Sequence, residues 1–390
     1  MALKIGIECH NLEKEKFGVG QTLLQLLKSI SEDEKAREKF RFVVYFNKKI
    51  PQDPILDDPI FEKKLLKCKL LPPSFSFFYH VLLPIAYKKD GLDGIFLPAY
   101  MMPILPVKKS IVVLTNDVYY ESHFGNLPLK YKMAYRIFSW LAAKWSSKVL
   151  TISEFSKKEL AKLYKINIDK IESIPWGLNE NMRQLEKSPE NLQKIKEIKN
   201  RLGVKGRFIL SVGQAFPRRK IKEAMLAFEK IADRFPDIQY IVANIDKYNP
   251  PIIDGLAKQI NERIGRQTIL RAQYLSQDDI LHLFNHAELL IYISSQEAMG
   301  LPPIEALKCG SVPLVADNEL THEIFGDNAF FVKDVDNPEA IAESINEALN
   351  NNEKRNQIVA NSRNVVQKFS WPVIASKFLK LFEETFQSKT

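Results

Sequence analysis

Two glutamates, Glu297 and Glu305, stand eight positions apart in the stretch SSQEAMGLPPIEALKCG, which runs from Ser294 to Gly310. A carboxylate accepts paired hydrogen bonds, so it can hold the vicinal hydroxyls of a ribose or a hexose. Between the two lies a feature suited to the opposite charge. The apolar run LLIYIS precedes the stretch, which puts Met299, Gly300 and Leu301 in a strand-to-helix loop. Pro303 fits the first turn of the following helix and Gly310 ends it. The backbone N–H groups of Met299, Gly300 and Leu301, backed by the helix dipole, suit a phosphate, and Gly300 lets the chain approach it closely. Glu305 is expected in the first helical turn. A phosphate cradle between two carboxylates describes a receptor for a sugar–phosphate–ribose ligand. For an arbitrary pair of glutamates a helix cap and a solvated acid is the simpler account; the Gly-Leu-Pro insertion favours the receptor.

Three other stretches bear on the same ligand. SVGQAFPRRKIKEAMLAF (211–228) reads as a strand, a turn at Gly213 and a basic triplet, Arg218, Arg219 and Lys220, opening a helix. Cations at a helix N-terminus are unfavourable unless an anion compensates them, and a diphosphate would do so. FGVGQTLLQLL (17–27) has a glycine turn at Gly18 between strand and helix; taken alone it is a tight turn. VVLTNDVYY (112–120) reads as a buried strand ending in Asn116 and Asp117.

The segment EAMGLPPIEALKCGSVPLVA resembles the E-x7-E segment of retaining GT-B glycosyltransferases of family 4, including its Cys-Gly. The resemblance implies that Glu297 contacts the transferred sugar, Glu305 holds the nucleotide ribose, and the amides of residues 299 to 301 face the diphosphate. SVGQAFPRRK is similar to the family's V-G-R-x-x-P-x-K-G. It places Arg219 at the phosphate-binding lysine, with Arg218 and Lys220 beside it and Gln214 where the family has arginine. FGVG is similar to the family's G-G-I-G loop and carries over Gly18. VVLTND resembles V-x-T-x-H-D with Asn116 in the histidine's place, and asparagine can bind a sugar hydroxyl but cannot carry a proton. Tyr274 and Leu275 would lie near the nucleotide base. The resemblance covers most of the chain and is densest between 208 and 332.

These loops need a scaffold that ends strands at them. KIGIE, FRFVVYF, DGIFLP, SIVVLTND and KVLTIS read as strands separated by helical stretches such as QTLLQLLKSI. That alternation predicts parallel sheets covered by helices. The pattern restarts near residue 175. After it, Ala224, Ala227, Phe228 and Ile231 mark one buried helical face. The expected fold class is α/β: a GT-B fold of two Rossmann-like domains facing each other across a cleft. Its divisions are 1–178 (acceptor-binding), 179–370 (donor-binding), and a helix over 371–390 crossing back to the first domain.

A chain of 390 residues with 45% hydrophobic and 26% charged residues has material for two cores. The net charge of +9 favours anionic partners. Three scattered cysteines, Cys9, Cys68 and Cys309, argue for a reducing compartment over a disulfide framework. The N-terminus resembles no secretion signal, and no stretch approaches the roughly 20 apolar residues of a membrane span. The apolar-rich run FSFFYHVLLPIAY, cut by Pro84 and flanked by lysines, suits a buried or surface-lying helix better than a membrane span. Lys130, Lys132, Arg136, Trp140, Lys144 and Trp145 share one helical region that could dock on an anionic membrane; an ordinary half-buried helix accounts for it equally well.

The expected reaction is retaining transfer of a hexose-type sugar, mannose or similar, from a nucleoside diphosphate to a hydroxyl of a glycan or glycolipid. It would serve cell-surface polysaccharide or lipopolysaccharide synthesis on the cytoplasmic side, peripheral to the membrane. Glu297, Arg219 and Asn116 are the candidate catalytic residues. No cofactor, metal or nucleic-acid partner is expected, because no metal cluster is evident. A sugar-nucleotide epimerase of the same architecture and a non-catalytic nucleotide-sugar-binding subunit are the alternatives.

Overall fold

Runs of β-branched and aromatic residues that are apolar throughout, with helices between them, form strands buried on both faces. In the computed structural model they build two parallel sheets, one in each of two units: Met1–Gly177 with Phe369–Thr390, and Leu178–Lys368. The structure describes residues 2–13, 18–67, 74–105, 107–125 and 128–387. Cys68 and Phe17 lie outside them.

The first unit holds β1 (Leu3–Glu8), β2 (Phe40–Phe46), β3 (Phe61–Leu65), β4 (Gly94–Leu97), β5 (Ser110–Val113), β6 (Lys148–Thr151) and β7 (Ile171–Ser173). They lie in the order β3-β2-β1-β4-β5-β6-β7. Chain order reverses direction between β1 and β4, the point where open α/β sheets hold ligands. Among its helices are α1 (Val19–Ser31), α2 (Asn116–Phe124), α3 (Leu129–Trp145) and α4 (Glu154–Tyr164). α4 starts where the Ser153 hydroxyl accepts the Ser156 amide, and it ends on Lys165 in the left-handed region.

One expectation changes here. The strand read through Asn116 stops at Val113, because Thr115 and Asn116 turn the chain into α2. The run interrupted by Pro84 is helical, as expected. The chain is helical from Phe75 to Lys89, with a π-helical turn over Phe78–Leu82 ahead of the proline. A wider turn accommodates a residue that lacks an N–H and crowds the preceding turn.

The second unit holds β8 (Arg207–Ala215), β9 (Ile238–Asp246), β10 (Ile269–Ala272), β11 (Leu289–Tyr292), β12 (Val312–Ala316) and β13 (Phe330–Val332), in the order β10-β9-β8-β11-β12-β13. Its reversal falls between β8 and β11, which pair in parallel. The helices following those two strands are α5 (Ile221–Ile231) and α6 (Leu301–Lys308). α5 buries Ala224, Ala227, Phe228 and Ile231, the face expected from their spacing.

The last helix, α7 (Trp371–Gln387), belongs to the first unit. Phe378 packs edge-on to Phe96 of β4 at 5.6 Å and stacks on Trp176 at 5.8 Å. A Cβ on Gly94 would fall 2.2 Å from the Phe386 ring, so this strand residue must be glycine for α7 to seat.

Candidate functional site

The reversal point of the second sheet places the loop after β8 beside the loop after β11. Gly213, inside β8, has φ +101°, and a Cβ there would lie 2.7 Å from Arg219 Nη1. Only glycine accommodates both that backbone and that approach. The chain continues through a 3-10 turn, Pro217–Arg219, which folds Arg219 back so that Nη1 donates to the Gln214 carbonyl at 3.0 Å. Lys220 follows with φ +51° and α5 begins at Ile221.

The second loop is pinned to the first by backbone. Ser295 N donates to the Arg218 carbonyl at 2.8 Å, and the Ser294 and Ser295 hydroxyls donate to the same oxygen at 3.3 and 3.2 Å. Glu297 is thereby brought to Arg219, whose Nε donates to Oε1 at 3.0 Å. Both side chains are mostly buried, at 12% and 17% exposure. The Tyr292 hydroxyl donates to the same oxygen at 2.9 Å, and its ring lies 5.2 Å from the Arg219 guanidinium carbon. Burial, then the neighbouring Glu297 carboxylate, hold the Tyr292 hydroxyl well above its usual pKa. It is therefore a donor at any working pH.

The triplet was expected to await an external anion. Instead the protein supplies carboxylates: Arg219 pairs with Glu297, and Lys220 with Asp336. Arg218 lies over the Phe216 ring, 4.4 Å from its centroid. The fold of the 3-10 turn explains the difference, since it directs successive cations to different neighbours.

Gly300 caps α6 with φ +74°, and a Cβ there would meet the Tyr292 ring at 3.2 Å. Met299 is buried and Leu301 opens the helix as its first residue. Glu305 is the fifth residue of α6, so it does not belong to the first turn, which carries no acid. The helix begins at Leu301, two residues ahead of Pro303, and that early start carries the glutamate past the first turn. Its Oε1 accepts the Asn179 amide at 3.4 Å, and Lys308 Nζ donates to the Asn179 carbonyl at 3.0 Å. Burial raises the Glu305 carboxyl above the ordinary range, against the pull of the Asn179 N–H and Lys308. It also pushes the Cys309 thiol up to about 12, with Glu305 adding to the effect, so that this thiol stays protonated and inert at neutral pH.

The remaining candidates stand on other elements. Leu275 packs against the core of the second unit while Tyr274 is 79% exposed. In the first unit, Gly18 stands before α1 with φ +54°, its carbonyl accepting the Thr22 amide and hydroxyl at 3.1 Å each. Asn116 opens α2, buried, with Oδ1 accepting the Ser156 hydroxyl at 2.6 Å. Among the described residues no group of three or more His, Cys, Asp or Glu is placed to hold a metal ion.

Tyr292, Asn179, Lys308 and Asp336 were not singled out from the sequence. Tyr292 had a signal: it is a hydroxyl-bearing ring in an otherwise apolar strand, and a buried tyrosine needs a partner for its hydroxyl. The other three are drawn in by tertiary packing that spacing does not reveal.

Residues 193–365 match the family described as glycosyl transferases group 1. The serotype-specific mannosyltransferase WbdA of Escherichia coli is 24% identical over 243 residues, which is 62% of this chain and 29% of that protein. The O-antigen chain mannosyltransferase B of Escherichia coli is 27% identical over 229 residues, 57% of each. The chain thus spans under two thirds of either relative. The crystal structure of Anabaena Alr3699/HepE in complex with UDP-glucose superposes with a TM-score of 0.68 at 16% identity, covering 98% of this chain and all of that one. Both units therefore share the GT-B architecture.

Proposed function

We propose, from the match of residues 193–365 to the group 1 glycosyl transferases, that this chain moves a hexose, mannose or a close relative, from a nucleoside diphosphate to a hydroxyl of a glycan or glycolipid acceptor. The setting is synthesis of cell-surface polysaccharide, as the names of the mannosyltransferase relatives suggest. One observation carries the reading: Arg219 and Glu297, from two different strand ends, meet beside the N-terminus of α6.

In this reading the diphosphate lies at the Met299, Gly300 and Leu301 amides. Arg219, with Arg218 and Lys220 beside it, offsets the charge that grows on the leaving oxygen as the glycosidic bond breaks. Glu297, held in place by Tyr292, accepts hydrogen bonds from the sugar hydroxyls. Glu305 accepts from the ribose, and Leu275 borders the base. Gly213 and Gly18 allow close backbone approach. Asn116 binds a hydroxyl of the reacting sugar. The acceptor oxygen attacks the anomeric carbon on the face that the diphosphate leaves, and the departing phosphate oxygen takes its proton. The anomeric configuration is retained. The positive charges are the protein's own, so the reaction is metal-independent.

Slow donor hydrolysis tests this without an acceptor. Each of several nucleoside diphosphate hexoses is incubated with the protein and followed by proton NMR before mutarotation. The expected result is nucleoside diphosphate plus the free hexose in the donor's own anomeric form, unchanged by EDTA. Release of the opposite anomer, conversion to an epimeric sugar nucleotide, or dependence on added manganese contradicts the reading.

A further inference from the structure

Sixteen large apolar side chains are exposed among the described residues, and nine of them fall between 104 and 145. Surface apolar residues are ordinarily scattered, so this concentration in about a tenth of the chain calls for a partner. Most sit on α3. Leu129, Met133, Ile137 and Trp140, at i, i+4, i+8 and i+11, form one stripe and are 72%, 52%, 51% and 49% exposed. The opposite face buries Ser139, Ala142 and Ala143.

Neighbouring segments extend the stripe into a patch. Arg136 donates to the carbonyls of Ser122 and His123 at 3.1 and 3.0 Å, tying the end of α2 to α3 and leaving Phe124 78% exposed. Met102 N donates to the Phe138 carbonyl at 3.3 Å, and His80 stacks on Phe138 while accepting the Ile104 amide. The exposed Ile104 and Leu105 are thus brought alongside.

The charges on the helix itself have one sign. α3 carries Lys130, Lys132, Arg136 and Lys144 and no carboxylate. A helical projection puts Lys130 on one flank of the apolar stripe and Lys132 and Arg136 on the other, with Lys144 in line with the stripe beyond Trp140. We propose that the outer face of α3, with Phe124 and the 104–105 loop, docks on an anionic lipid bilayer. An apolar band edged by cations buries its ring and alkyl groups at the acyl boundary while the ammonium groups meet the head groups. Pairing of two copies through the same face would set the cations of one against those of the other, which disfavours a dimer. No helix among the described residues is long and apolar enough to cross a membrane, so the contact is interfacial.

Trp140 and Trp145 are half exposed on α3, whereas Trp176 and Trp371 are buried, which makes intrinsic fluorescence a local reporter. The experiment is co-sedimentation with vesicles of phosphatidylcholine alone or with 30% phosphatidylglycerol, alongside fluorescence. The expected result is binding to the acidic vesicles only, with a blue shift, and weakening at high salt. Lys130→Ala combined with Lys144→Ala lowers the partition coefficient by about fivefold per cation, and Ile137→Ala with Trp140→Ala lowers it about tenfold. Circular dichroism melts verify that both variants stay folded, and Met133→Ser serves as a milder second apolar variant. Three results overturn the proposal: no binding to acidic vesicles, binding that none of the variants weakens, or a dimer by light scattering that Trp140→Ala dissociates.

Discussion

The two units are built on nearly the same plan and use it differently. Each has a parallel sheet whose order reverses between its first and fourth strands. In the second unit the loops leaving β8 and β11 are laced together by the Arg218 carbonyl and by the Arg219, Glu297 and Tyr292 contacts. In the first unit, Gly18 before α1 is a backbone turn, and Asn116 is joined to Ser156 of α4. Charged groups cluster at the reversal point of the second unit, while Asn116 follows β5, away from the β1 and β4 strands of its own unit's reversal. The lesson is that a shared fold leaves function to the loops, so the units should respond unequally to substitution.

The largest effect is expected from Arg219→Ala. Removing a preorganised charge from the leaving group lowers kcat on the order of 10²–10³. The fold should survive, so that a melt unchanged within a few degrees separates chemistry from stability. Glu305→Ala comes next, with nucleoside diphosphate affinity weaker by about 10- to 100-fold, as for hydrogen bonds to a charged group, and kcat nearly unchanged. Equilibrium titration of the nucleotide together with steady-state kinetics checks that split.

Asn116→Ala puts the comparison at risk from the other side. It removes the Asn116 oxygen that accepts the buried Ser156 hydroxyl, at a cost of about 1–3 kcal/mol in stability, and lowers kcat by less than about tenfold. A kinetic loss equal to that of Arg219→Ala would erase the distinction between the units.

The smallest effect is a slope. Burial raises the Glu305 carboxyl, so the native state binds its proton more tightly than the unfolded chain does. The resulting destabilisation is absent below the unfolded pKa, grows as pH rises past it, and is complete above the raised native value. Glu305→Gln should therefore flatten the decline in Tm between acidic and neutral pH. An unchanged slope would mean that the carboxylate is well solvated.

Much of the scaffold was legible because strands buried on both faces are short apolar runs. FRFVVYF matches β2 residue for residue, and LLIYIS begins where β11 begins. Less legible was FEKKL, the β3 edge strand, whose three central charges hide its pairing with β2. At the site, local spacing identified Glu297, Arg219 and Gly300 as members of strand-end loops. It did not reveal that Arg219 and Glu297 meet each other, because they stand 78 positions apart with β9, β10 and β11 folded between them. The position of Glu305 in α6 depended on where the helix begins, which Gly300 and two following prolines decide. Counter-ions such as Asp336 come from distant sequence and carry no motif.

The claim that the second unit binds a nucleoside diphosphate sugar is tested most directly by thermal unfolding against a panel of such donors. Ligand at 100 times its Kd contributes about 2.7 kcal/mol, enough to raise Tm by several degrees. The account predicts such a shift with at least one donor, reduced by Glu305→Ala and by Arg219→Ala and preserved in Asn116→Ala. No shift with any donor, or one that survives both of the first two substitutions at full size, contradicts it.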